Sequence, residues 1–279
     1  MKLKKLIQGL KVKILGISPR LLKHFFLGQE LLIIKGTIKN LPDKDDAWFY
    51  ELVKRSTVFC DVGANIGFTA LIAKLVNPEH PVILVEPNKE ALSWAIKNLI
   101  YNNLTNNLYF ESVLLGDCVK NDVEFFTIGV GAAGSIHSSN AETANVLRSS
   151  SFIPMTTLDN LVQKYNMVPD FVKIDVEGAE ILVLNGSMKL AQSKKTKFLV
   201  EMHHSVTTPM RENADKVLLW CKAMDFKAWY LKDKTELLTP QSIAHRGRCH
   251  LLLQPSNWPF PEYLLKVNEG DSIESHFNR

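Results

Sequence analysis

Four carboxylates stand where apolar runs end. Asp61 follows Val58-Phe59-Cys60, Glu86 follows Val82-Ile83-Leu84-Val85, and Asp175 and Glu177 follow Phe171-Val172-Lys173-Ile174. Two histidines, His203 and His204, close another such run, from Lys197 to Met202. A carboxylate or imidazole within reach of a hydroxyl can take its proton. The same groups could instead hold a divalent cation that acidifies that hydroxyl. If the chain stays extended, Asp175 and Glu177 point the same way. Adjacent His203 and His204 then point apart, so at most one of them faces the site. Glu177 also has a plainer use, at the N-terminus of a helix that starts at Ala179.

The turn after the first run narrows the ligand. Asp61-Val62-Gly63-Ala64-Asn65-Ile66-Gly67 reads as a strand end, a tight turn and the start of a helix. Such turns lie at the carboxyl edge of open α/β sheets, where ligands bind. The glycines, having no Cβ, permit close backbone approach. Asn65 stands where the dinucleotide fingerprint G-x-G-x-x-G requires glycine, and no Lys follows Gly67 as a phosphate-binding loop requires. Glu86 lies nineteen residues beyond Gly67, about where a carboxylate on the second strand meets ribose hydroxyls. A ribose-bearing ligand without a pyrophosphate satisfies both facts, and S-adenosylmethionine (SAM) is such a ligand.

These residues need a sheet to position them. Strand-like and helix-like segments alternate from residue 45 onward, which predicts a largely parallel sheet covered on both faces. Helices are expected over 45–55, 89–102, 179–190 (interrupted near Asn185-Gly186) and 211–224. Strands are expected at 108–115, 123–128, 149–157, 226–231 and 249–253. The stretch 122–151 reads as a β-rich insertion with a Gly/Ala/Ser-rich loop, in which His137 could close over a substrate. The residues after Pro255 read as a loosely held tail.

Composition sets wider bounds. The 279 residues are 46% hydrophobic and 22% charged, with a formal charge of +4, so a globular core is expected and nucleic acid is not demanded. The four cysteines show neither zinc nor redox spacing, which suits a reducing compartment. No apolar run is long enough to span a bilayer, and the start lacks the features of a secretory signal. Eight basic residues face only Glu30 in the first 35, a net +7, and Leu3, Leu6, Ile7, Leu10 and Ile14 recur at helical spacing. That pattern suits a helix packed on the main domain or one resting on an anionic membrane. The expected organisation is a basic helical extension over 1–44, a main domain over 45–255 and a tail over 256–279.

In its motifs the chain resembles the FkbM-type family of SAM-dependent methyltransferases. The likeness rests on Asp61 to Gly67, on Glu86-Pro87-Asn88, on Thr157-Leu158-Asp159, and on Lys173-Ile174-Asp175-Val176-Glu177-Gly178-Ala179-Glu180 followed by Leu184-Asn185-Gly186. Glu201 sits where that family often carries a glutamate. The resemblance covers about residues 57–204. It implies an α/β, class I methyltransferase sheet of Rossmann-like form, with seven strands, the last antiparallel, and the β-rich insertion placed before strand four. It implies cofactor contacts from Asp61, Gly63, Ala64, Asn65, Gly67, Glu86, Asn88, Ser112 and Asp117. The catalytic candidates are Asp175, the choice for the carboxylate nearest the reaction, with Glu177 and His203 beside it. No residue is assigned as a metal ligand.

The expected activity is SAM-dependent O-methylation of a hydroxyl on a glycan, glycolipid or small metabolite. A cytoplasmic enzyme is expected, with the basic start available to the inner face of a membrane. Two rivals are an RNA methyltransferase and a non-catalytic binding module on the same fold. The first lacks a recognisable RNA-binding motif and a stacking platform. The second is disfavoured by intact acids at three strand ends.

Overall fold

The computed structural model describes residues 20–38, 43–127, 150–204 and 208–277. The central sheet grows from short, wholly buried strands: β3 (Phe59–Val62), β4 (Val82–Val85) and β9 (Phe171–Ile174). Continuous apolar runs of this kind suit parallel strands covered on both faces. Successive side chains point to opposite faces. Phe59, Leu84, Phe171 and Leu199 therefore enter one core, while Cys60, Ile83, Val172 and Val200 enter the other.

Helices α1 (Asp46–Val53), α2 (Phe68–Val76) and α3 (Lys89–Tyr101) contribute to the first core. Helices α4 (Leu158–Tyr165), α5 (Glu180–Asn185), α6 (Met188–Gln192) and α7 (Met210–Met224) contribute to the second. Adding β5 (Leu108–Glu111), β10 (Lys197–Met202), β11 (Phe226–Tyr230), β12 (Thr235–Glu236) and β13 (Cys249–Pro255) completes the sheet. Its order is β12-β11-β13-β10-β9-β3-β4-β5. From β10 to β5 neighbouring strands run parallel, whereas β13 is antiparallel to both β10 and β11. The last strand in sequence is thus antiparallel, as expected. Among the described residues the two-residue β12 makes the sheet eight-stranded rather than seven-stranded.

The expected strand over 108–115 divides in two. Its first half is β5, and its second half, β6 (Leu114–Leu115), pairs with β8 (Ser150–Thr156) in a separate sheet that also holds β7 (Lys120–Phe126). This is the β-rich insertion, and it lies before β9 in the chain. The Gly/Ala/Ser loop and His137 lie outside the described residues. At Gly186, between α5 and α6, an added Cβ would lie 2.0 Å from the Gly116 carbonyl oxygen. The break in the expected helix therefore seats the start of the insertion against the main domain.

Both chain ends depart from expectation. The amphipathic pattern over residues 3–14 lies outside the described residues, and residues 21–34 are not helical. Strands β1 (Leu21–Phe26) and β2 (Gln29–Ile34) form an antiparallel hairpin. Asn102 and Asn98 of the α3 end accept hydrogen bonds from the Leu32 and Ile34 amides at 2.8 and 2.9 Å. Leu31 and Ile33 enter the first core, so the hairpin is docked rather than appended. The tail also packs. Leu264, Val267 and Ile273 are buried in that core, with Ile273 beginning α9 (Ile273–Phe277). The polar composition after Pro255 hid three well-spaced apolar anchors. A further helix, α8 (Pro240–Ala244), is closed by a capping box between Thr239 and Ser242. Among the described residues no helix is long and apolar enough to cross a membrane.

The turn after β3 depends on glycine for a packing reason. Gly63 has φ +86°, and an added Cβ would stand 1.9 Å from the Asp175 backbone oxygen. Gly63→Ala is expected to lower stability by more than about 3 kcal/mol in denaturant unfolding, because a backbone oxygen cannot step aside as a flexible side chain can. A loss below about 1 kcal/mol, within the range of ordinary substitutions, would show that this crossing is looser than these distances imply.

Candidate active site

The carboxyl edge of the parallel strands gathers the predicted acids in a row. Glu86 leaves β4, Asp61 lies in β3, Asp175 and Glu177 leave β9, and His203 leaves β10. The turn from Gly63 to Gly67 uses its amides internally. Gly63 and Ala64 donate to the Val85 carbonyl at 2.9 and 3.1 Å, and Gly67 donates to Ala64 at 2.8 Å. Asn65, in the left-handed region at φ +48°, donates its amide to Glu86 Oε2 at 2.8 Å. These amides are not left to cradle a phosphate. The second glycine, Gly67, lets the turn approach Ala95 of α3, since an added Cβ would lie 2.5 Å from the Ala95 Cβ. Both glycines thus serve chain packing, where the sequence had suggested direct approach to a ligand.

Glu86 is the polar anchor of this end. It is buried, and its oxygens accept from the Asn65 and Asn88 amides, each at 2.8 Å. A carboxylate has about four lone-pair directions, so two remain for ligand hydroxyls. Burial pushes the Glu86 carboxyl up to about 7, against the pull of the two amides. The Asn65 side-chain oxygen is buried and has no hydrogen-bond partner among the described residues. An orphaned acceptor beside a carboxylate with spare capacity fits a ligand rich in hydroxyl and amino groups, such as the adenosine half of SAM.

Other predicted cofactor residues have structural duties. Asn88 Oδ1 caps α3 by accepting from the Glu90 and Ala91 amides at 3.0 and 3.3 Å. Ser112 Oγ lies 3.4 Å from the Pro87 carbonyl oxygen and ties the chain after β5 to the loop after β4. Asp117 is exposed in the turn before β7, where it accepts from Cys118 at 3.2 Å.

Asp61 is 1% exposed and accepts a hydrogen bond from Thr69 Oγ1. Burial raises its carboxyl to about 6, with Lys173 and Thr69 opposing and Asp175 adding to the rise. Lys173 lies beside Asp61 in the strand register and reaches Asp175 Oδ2 at 2.9 Å. Burial alone would lower the pKa of this ammonium, but the charges of Asp175, Asp45, Asp61 and Glu201 outweigh it and hold its pKa above the usual lysine value.

His203 and His204 separate as expected: His203 is buried and His204 exposed. His203 Nδ1 meets Glu180 Oε1 at 2.9 Å. Glu180 is fully buried and also accepts from the Gly178 amide at 2.9 Å and Asn213 Nδ2 at 3.2 Å. The other ring nitrogen, Nε2, faces Glu177 Oε2 at 3.5 Å, Glu201 Oε1 at 3.7 Å and Asp175 Oδ1 at 4.0 Å. It has no hydrogen-bond partner among the described residues. Burial disfavours a charged ring, yet the Glu180 contact and the charges of Glu177, Glu180 and Asp175 raise His203 to about 9. Glu177 adopts φ +53°, and burial raises its carboxyl. A left-handed non-glycine residue at a strand end signals a conformation imposed by its surroundings. Glu177 therefore turns toward the cluster instead of extending along the strand.

Several residues of this edge were not singled out as site residues in the sequence. Glu180 is the orienting partner of His203, and its signal was a lone acid opening the otherwise apolar segment Glu180-Ile181-Leu182-Val183-Leu184. Glu201 pairs with Arg248, and His250 Nε2 lies 3.6 Å from Glu201 Oε2 and 3.7 Å from Asp45 Oδ2. Burial would raise Glu201, but His250 and Arg248 pull it below the usual carboxylate range. His250 lies on antiparallel β13 and Arg248 just ahead of it, far along the chain, and neither carried a motif.

The raised Glu86 carboxyl has a measurable consequence. Its folded value, about 7, exceeds the ordinary 4.5, so the folded protein holds the proton more tightly. Stability from this group is present below about 4.5 and lost as the pH rises through about 7. Glu86→Gln cannot titrate. Relative to the wild type, its stability should improve by about 2 kcal/mol between pH 5 and pH 8 in urea melts. A gap independent of pH would contradict burial as the force acting on this carboxyl.

Comparison with known proteins assigns the family. The profile of the Methyltransferase FkbM domain family matches residues 61–228, more than half of the chain. A solved FkbM methyltransferase from Methylobacillus flagellatus is 18% identical, with a TM-score of 0.46; the match covers 71% of this chain but 43% of that protein. A SAM-dependent methyltransferase from Agrobacterium tumefaciens is 11% identical, with a TM-score of 0.44, covering 86% of this chain and 72% of that one. A precorrin-6y C5,15-methyltransferase from Geobacter metallireducens is 10% identical, with a TM-score of 0.41, covering 80% and 93%. These structural likenesses are loose, and no curated protein sequence matches the chain. The weight rests on the family profile, whose span opens at Asp61 and contains Glu86, Asp175, Glu177 and His203. The chain belongs to the FkbM methyltransferase family.

Proposed function

We propose that the protein transfers a methyl group from SAM to a hydroxyl, with the donor held at the Glu86 end of the edge and the acceptor at the His203 end. The observation that carries this reading is the row itself. A carboxylate with spare acceptor capacity and an orphaned Asn65 oxygen stand at one end. A buried imidazole with an unpartnered nitrogen stands at the other, past the Asp61–Lys173–Asp175 group. Bound SAM would supply a methyl group on a sulfonium and leave as the neutral thioether.

The chain's own residues would do the rest. Glu86 accepts ribose hydroxyls. The charges of buried Asp61 and half-buried Asp175 favour a cation at the centre of the edge. Asp175 draws the proton from the acceptor hydroxyl, as methylation at oxygen requires, with Glu177 and His203 beside it to hold that hydroxyl. Glu180 fixes the His203 ring so that Nε2, rather than Nδ1, is presented. Hydroxyl acceptors on a glycan, glycolipid or small metabolite suit this chemistry. The β6–β8 insertion begins shortly after β5 and is the natural place for acceptor selection.

Calorimetric titration with SAM and with its demethylated product tests the donor end. Glu86→Ala should weaken binding about tenfold or more, the size of a lost hydrogen bond to a charged group. His203→Ala should leave SAM affinity nearly unchanged and lower turnover on the order of a hundredfold, the usual scale of proton-transfer assistance. No SAM binding by the folded protein would sink the proposal. Normal turnover in His203→Ala would remove His203 from the reacting end.

A further inference from the structure

The geometry points to a divalent-cation site formed by Asp175 Oδ1, Glu177 Oε2 and His203 Nε2, at which the acceptor hydroxyl would be acidified. The inference rests on the methyl-transfer reading and names how the acceptor end would work. One ligand atom from each residue lies within 4.8 Å of the other two. Nε2 stands 3.5 Å from the Glu177 oxygen and 4.0 Å from the Asp175 oxygen. Neighbouring ligands of a six-coordinate ion at about 2.1 Å lie roughly 3 Å apart, so modest side-chain shifts, on the order of 1 Å, would close the set.

Three further observations favour a cation here over a plain acidic cluster. The His203 side chain is 7% exposed, and its Nε2 points into the cluster without a hydrogen-bond partner among the described residues. Its other nitrogen is held by Glu180 at 2.9 Å, the carboxylate–histidine arrangement that fixes a metal-binding tautomer. The local charge is also unbalanced. Among the described residues, Asp45, Asp61, Asp175, Glu177, Glu180 and Glu201 surround the edge, against three cations, Lys173, Arg248 and the protonated His203 ring, whose proton the ion would replace. A dipositive ion moves this balance toward neutrality.

Two carboxylate oxygens and one imidazole suit an ion between the hard and borderline classes, and Mn2+ is the natural probe. Three protein ligands leave positions open for a hydroxyl and water. The step balances: the acceptor O–H bond breaks and its proton passes by way of an edge carboxylate to solvent. The new O–CH3 bond forms as the methyl–sulfur bond breaks, and the sulfonium charge disappears with the bond.

Mn2+ binding to the full chain, followed by electron paramagnetic resonance of the free ion, tests the site without any turnover assay. One equivalent should bind and broaden the His203 imidazole signals in NMR spectra. His203→Gln and Glu177→Gln should each weaken binding at least about tenfold, whereas His250→Gln, in the neighbouring Asp45–Glu201–His250 group, should not. SAM titration of each variant reports whether it is folded. The inference is overturned if millimolar Mn2+ fails to bind a protein that binds SAM, if His203 signals stay sharp, or if His250→Gln alone abolishes binding. SAM binding without Mn2+ binding would leave the methyl-transfer reading standing. Mn2+ binding at His203 without SAM binding would leave the cation site standing and remove that reading.

Discussion

The carboxyl edge depends on burying one ammonium, that of Lys173, among carboxylates. Lys173 sits on β9, beside Asp61 of β3 in register and 2.9 Å from Asp175. It also feels Asp45 at the start of α1 and Glu201 on β10. Without a central cation, acids from neighbouring strands would repel one another at the separations the sheet dictates. With it, three strands and a helix start share one electrostatic centre. Breaking such a group leaves charges buried and uncompensated, the costly outcome for any ion pair away from water.

From this centre the edge divides into two unequal halves. Toward β4, Asp61 and Glu86 are buried acids with raised carboxyls, braced by Thr69 and by backbone amides. Toward β13, Glu201 is paired with Arg248 and lies 3.6 Å from His250 Nε2, and His203 is aimed by Glu180. The first half has acceptors to spare for a polar ligand. The second half has an imidazole nitrogen without a hydrogen-bond partner among the described residues. The glycines let the two halves meet, since Gly63 brings the turn after β3 against the backbone of Asp175.

Much of this was legible in the sequence, for particular reasons. Continuous apolar runs ending in acids gave the central strands and their order of use, because a strand buried on both faces has few alternatives. The acids at 61, 86, 175 and 177 fall on the predicted edge, since strand ends fix where the next residue emerges. What was missed came from contacts distant in sequence. The hairpin over 21–34 is held by Asn98 and Asn102 at the end of α3, which no local pattern signals. The tail carries its apolar anchors, Leu264, Val267 and Ile273, too far apart to show a period. Glu180 stood in the family motif with no role of its own and is the partner that orients His203. Asn88 and Gly67 stood in the right motif, yet their observed work is helix capping and helix packing.

The most direct test of this division of the edge is a crystal structure with the demethylated cofactor bound. Its ribose hydroxyls should lie within hydrogen-bond distance of Glu86 and its sulfur on the side of Asp175 and His203. A cofactor whose ribose lies away from Glu86, or whose sulfur faces away from His203, would contradict it.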